Sequence, residues 1–120
     1  MPRDPKYAFF YEVSKRLRED LPTGHKVHVR LQKGYGSHGS CQYIEDGPNP
    51  RFVIIVRKSN GAERDVHVLL HEYAHVLSWF CETAHHGTAW QTAYGRVYRW
   101  YEKVILEEEI TDDVDTDTQS

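Results

Sequence analysis

Residues His71–Glu72–Tyr73–Ala74–His75 decide how this chain of 120 residues is read. At 3.6 residues per turn, two histidines four apart share one face of a helix. His71 and His75 can therefore present their imidazoles to a single metal ion. Glu72 lies beside that face, where a carboxylate reaches a water polarised by the metal rather than the metal itself. Val66, Leu70, Tyr73, Ala74 and Leu77 form an apolar face opposite, which predicts that this helix lies on a sheet. Asn60 with Glu63 three residues on has the pattern of a capping box, so the helix is expected to open there and run to about Cys81.

Outward from the helix, the segments alternate in a readable way. Arg51–Lys58 holds the β-branched run Val53–Ile54–Ile55–Val56 and predicts a strand. Asp46–Gly47–Pro48–Asn49–Pro50 before it is a turn. Cys41–Glu45 predicts a short strand, and Val27, Val29 and Leu31 alternate with His28 and Arg30 in a half-buried one. Between these two lies Gly34–Gly39, a glycine-rich loop that no Gly-Lys-Ser/Thr follows, which excludes a phosphate-binding loop. Asp4 and Pro5 form a helix start, Tyr7, Phe10, Tyr11, Ser14, Leu17 and Leu21 follow at helical spacing, and Pro22–Thr23–Gly24 ends the run. Thr88 with Gln91 repeats the capping pattern. Trp90, Ala93, Tyr94, Val97, Tyr101, Val104 and Ile105 then give the last helix one apolar face to about Glu107. The expectation is an α+β domain in the order α-β-β-β-α-α over residues 1–108, with a flexible acidic tail at 109–120.

Composition narrows the class. No apolar run approaches the roughly 20 residues of a membrane helix, and the charged start does not resemble a signal peptide. An intracellular, cytoplasmic protein without a membrane partner is expected. Cys41 and Cys81 are too few for a disulfide scaffold or a four-cysteine zinc ribbon. The net charge of -3 hides an asymmetry. Residues 1–58 carry eleven Lys/Arg and six Asp/Glu, and residues 59–120 carry four and twelve. No dense basic run marks a nucleic-acid surface.

Catalytic zinc takes three protein ligands and keeps one position open, so a third ligand is expected. The extended pattern with glycine three residues after the second histidine, and histidine three further, is absent: Ser78 and Cys81 stand there. The only methionine is Met1, so a downstream methionine turn is absent too. Glu82 and Glu102 are carboxylate candidates. His85 and His86 precede Gly87 at the entrance of the last helix, where a tight turn would fold the chain back on His71 and His75.

His71, Glu72 and His75, followed by His86, Gly87 and Trp90, resemble the catalytic pattern of the SprT-like (Spartan-type) zinc metalloproteases, in which H-E-x-x-H on one helix is coupled to a later H-G-x-x-aromatic. The resemblance spans about Tyr7 to Glu107, with its specific motifs between Val66 and Trp100. It implies a minimal zincin fold, Zn2+ held by His71, His75 and His86, Glu72 as general base and then acid, and hydrolysis of peptide bonds in a protein or peptide substrate. His86 is preferred over His85 because Gly87 follows it directly. Many SprT-like proteins carry a C-terminal zinc ribbon or DNA- and partner-binding segments, for which this chain has neither the cysteines nor the length. A nucleic-acid partner is thus suggested by the resemblance and not by composition.

Two rivals are tested by the same residues. A zinc-stabilised binding module would close the metal shell with a fourth protein ligand. A regulatory protease that cuts one repressor would place a carboxylate, Glu102, on the metal. Tyr94, Arg96 and Tyr98 are candidates for stabilising an oxyanion. Cys81 is expected to be a small buried residue, and Trp79, Phe80, Trp90 and Trp100 to pack. The Cys41–Glu45 strand is expected to line a cleft.

Overall fold

The β-branched run makes the centre of the sheet, where a strand on either side satisfies its backbone groups. In the structure, a computed structural model describing residues 5–33, 38–59, 61–81 and 86–107, this run is β3 (Arg51–Arg57). It lies between β1 (Lys26–Gln32), to which it is parallel, and β2 (Gly39–Ile44), to which it is antiparallel. Phe52, Ile54 and Val56 are almost wholly buried. The β1 register runs from Lys26 opposite Arg51 to Gln32 opposite Arg57, and the β2 register from Gly39 opposite Val56 to Ile44 opposite Arg51. Among the described residues β1 and β2 are therefore the two edges.

A 3-10 turn, Pro5–Tyr7, leads into α1 (Ala8–Asp20), which buries Phe10, Val13 and Leu17. Gly24 takes a φ of 82° in the turn to β1, a left-handed conformation that glycine enters without strain. α2 (Ala62–Ser78) packs Val66, Leu69, Leu70, Tyr73 and Val76 into the same core, and α3 (Thr88–Trp100) adds Val97 and Trp100. Two polar ties lock the helices together. The Tyr73 hydroxyl donates to the carbonyl oxygen of Leu21 just past α1. Trp100 Nε1 donates to Asp20 Oδ2 at 2.8 Å.

The expected α+β order holds, with several changed boundaries. β2 begins at Gly39, two residues before the predicted strand, because Gly39 and Ser40 pair with Val56 and Ile55. Pairing with the central strand outweighs glycine's weak strand preference. α2 begins after Gly61 and stops at Ser78, short of Cys81, and Gly61 makes no side-chain cap. The carboxylate of Asp65, fully buried, accepts from Ser59 N (3.2 Å) and Ser59 Oγ (2.7 Å) instead, fixing the helix entrance. Beyond Trp100 the last helix widens into a π-helical segment, Tyr101–Leu106, which its apolar spacing did not announce. Asp4, the loop residues 34–37, Asn60, Glu82, His85 and the tail lie outside the described residues.

Candidate metal centre

α2 carries the H-E-x-x-H segment in its C-terminal half. His71 is half-buried and His75 is buried, both on the face turned toward α3. His86 approaches from the turn that opens α3. Its Nε2 lies 3.1 Å from His71 Nε2 and 3.2 Å from His75 Nε2. Among the described residues, these three are the group of His, Cys, Asp and Glu side chains that could hold a metal ion. Glu102 is exposed on the π-helical segment and does not join them.

The spacing fits the chemistry of the donors. Three imidazole nitrogens converging on one point repel unless a proton or a cation lies among them. Nitrogens bound tetrahedrally to zinc at about 2.0–2.1 Å are roughly 3.3 Å apart, close to the separations found.

His86 has a φ of 58°, the one positive value among the described non-glycine residues. A left-handed backbone is disfavoured for most side chains and tolerated by histidine better than by bulky or branched ones. That conformation aims the ring back at α2. Sequence reasoning assigned the sharp turn to Gly87, but Gly87 has ordinary extended angles (φ -76°, ψ -168°). The predicted capping pair also acts differently. Thr88 is the first residue of the helix, and Gln91 Nε2 donates to the carbonyl oxygen of His86 at 3.3 Å.

Trp90, one turn into α3, lies against all three imidazoles. Its ring centroid is 4.5 Å from that of His86, 4.9 Å from His71 and 5.5 Å from His75. Its Nε1 donates to the carbonyl oxygen of His71 at 3.4 Å. Tyr94 stacks on Trp90 (4.9 Å, 13°) and reaches within 6.1 Å of the His71 ring. Tyr98 stacks instead on His67, and Arg96 is exposed. Of the three oxyanion candidates, Tyr94 is the one beside the triad.

Glu72 faces the other side, toward β2. It is 9% exposed, and burial pushes its carboxyl up to about 7. A cation held by the imidazoles would act in the opposite direction.

Other histidines have ordinary roles. His25 packs on Tyr43, Phe52 and Phe80, and Arg64 Nη2 donates to His38 Nε2 at 2.9 Å. Cys81, expected to be buried, is exposed, because α2 ends before the core can enclose it. Phe80 packs as expected against His25, Tyr43 and Phe52, with its outer side exposed. Trp79 packs as expected, against Tyr43 and Phe52.

An α+β domain with an H-E-x-x-H helix and three convergent histidines defines a metalloprotease-like class. The chain belongs to the SprT-like family, whose model matches residues 7–112. No curated protein and no solved structure matches it. Among the described residues no helix is long and apolar enough to cross a membrane.

Proposed function

We propose that this protein is a zinc-dependent endopeptidase of minimal zincin architecture that hydrolyses peptide bonds in protein substrates. The convergence of His71, His75 and His86, with the buried Glu72 next to His71 in the same helix, carries this reading. The three Nε2 atoms would hold zinc, which when bound supplies a Lewis acid that lowers the pKa of a water to near ~7. Glu72 takes a proton from the attacking water and returns it to the departing amine nitrogen. Its burial strengthens the exchange by keeping bulk water from the carboxylate.

Tyr94 is the proposed donor to the oxygen of the carbonyl under attack. A phenol is protonated at neutral pH and can donate, and burial, with Tyr98 beside it, shifts this one further in that direction. Among the described residues β2 pairs with β3 alone, and its other edge would offer backbone groups to an extended substrate. A closed structural site would need a fourth protein ligand, and none joins the triad among the described residues.

The test is hydrolysis of casein by the zinc-loaded chain, with and without single-stranded DNA. Cleavage that a chelator abolishes and zinc restores supports the reading. A fully loaded chain with no hydrolytic activity on casein or on an unfolded-protein panel contradicts it. A rate raised by the DNA would add nucleic acid as a partner.

A further inference from the structure

Gly39 opens the edge strand at the place where β2 crosses α2. A Cβ built on Gly39 would stand 2.6 Å from Val68 Cγ1, 3.2 Å from Glu72 Cγ and 3.3 Å from Glu72 Oε2. Carbon atoms in good contact are about 3.5–4.0 Å apart, so the strand approaches the helix more closely than a side chain would allow. Val68 and Glu72 are four apart and therefore neighbours on one face of α2. His71 and His75 occupy the adjoining face toward α3.

Neither partner yields easily. Val68 is β-branched and held to one preferred rotamer in a helix. β2 is fixed by its register on β3, from Gly39 opposite Val56 to Ile44 opposite Arg51. Arg57 N adds a further bond to the carbonyl oxygen of His38 at 2.7 Å. The glycine backbone thus forms one wall of the space that holds the Glu72 carboxylate.

We propose that Gly39 is a positioning residue for Glu72: by carrying no side chain it lets the edge strand close over the carboxylate and fix where that carboxylate stands relative to the three imidazoles. The inference rests on Glu72 being the proton carrier of the proposed peptidase. It assigns two duties to β2, since the strand whose outer edge is offered to substrate also backs the base.

The experiment compares Gly39→Ala, Val68→Ala and the Gly39→Ala/Val68→Ala double variant in zinc affinity, Tm, casein hydrolysis and crystal structure. Val68→Ala removes the methyl that meets the new Cβ at 2.6 Å but leaves the contacts with Glu72. The expected result is that Gly39→Ala lowers both Tm and kcat, with kcat falling about 10- to 100-fold, the effect of misplacing a reacting group by an ångström or so. In the double variant Tm recovers and kcat does not, while zinc affinity and KM stay near the wild-type values throughout. Wild-type kcat in Gly39→Ala, or recovery of kcat together with Tm in the double variant, overturns the proposal by reducing Gly39 to a packing role. A double variant that does not fold overturns it as well, because relief of the contact with Val68 should restore folding.

If the wild-type chain cleaves no substrate, the peptidase reading fails and the crystal structures still decide the role of Gly39. A Glu72 carboxylate displaced in both Gly39→Ala variants, with the imidazoles in place, supports it. An undisplaced carboxylate overturns it.

Discussion

Trp90 stands edge-on to His86, their ring centroids 4.5 Å apart and their planes at 70°. The same indole touches the two histidines of α2, so one side chain from α3 sets the orientation of rings from both sides of the intervening turn. Supports of this kind govern how well a ligand set is arranged before the ion arrives. Trp90→Ala is expected to lower zinc affinity about 10- to 100-fold while the helices remain folded. Trp90→Phe should keep most of the affinity, losing only the bond to the His71 carbonyl. Competition with a chromogenic chelator, alongside circular dichroism, measures both.

Glu72→Gln separates holding the metal from using it. The amide keeps the size of the side chain and none of its basicity. One zinc per chain and an unchanged Tm are expected, with kcat reduced by at least about 100-fold. Metal content by mass spectrometry and casein hydrolysis on the same sample check the two halves. Hydrolysis at the wild-type rate would remove Glu72 from the mechanism.

The left-handed backbone of His86 predicts a difference between two ligand-removing variants. Asparagine accepts that conformation and valine does not. Both His86→Asn and His86→Val should lose tight zinc binding. Without metal, the asparagine variant should melt close to the wild type, and the valine variant should be less stable by about 1–2 kcal/mol. Urea unfolding in the presence of a chelator distinguishes them.

Asp65 is fully buried and holds Ser59 through both its carboxylate oxygens. Its replacement by alanine strands the Ser59 donors at the entrance of the helix that bears the site. A loss of about 2–4 kcal/mol is expected by chemical denaturation. Asp65→Asn, which keeps an acceptor oxygen, should lose less.

His28 on β1 has a pKa below the usual 6.5, first through burial and then through Lys26, Arg30, Arg51 and Arg18 around it. The folded protein therefore takes up this proton less readily than the unfolded chain. That contribution to stability is present above about pH 6.5 and is lost as the pH falls through the lowered value. His28→Gln should make stability less sensitive to acid in that window. Added salt should raise the His28 midpoint followed by NMR, because it screens the four cations.

Much of this was readable in the residues because the signals were periodic. Histidines four apart, a β-branched run and an apolar helix face each translate directly into geometry. The missed features depend on partners distant in sequence. Gly39 has poor strand propensity, and only the register on β3 draws it into β2. The left-handed turn at His86 has no local signature, since the glycine beside it is the residue that would ordinarily take it. The widening at Tyr101–Leu106 leaves the apolar face intact, so its pattern reads as a continued α-helix. The burial of Glu72 follows from an edge strand crossing the helix, which spacing along the chain does not encode.

Two of the imidazoles stand on α2 and the third at the entrance of α3. An ion gripped there would act as a clasp between two helices otherwise held together by side-chain packing. Free metal at a hundredfold excess over its dissociation constant adds about 2.7 kcal/mol to the folded state. Cellular zinc supply would then govern how long each copy survives as well as whether it can work.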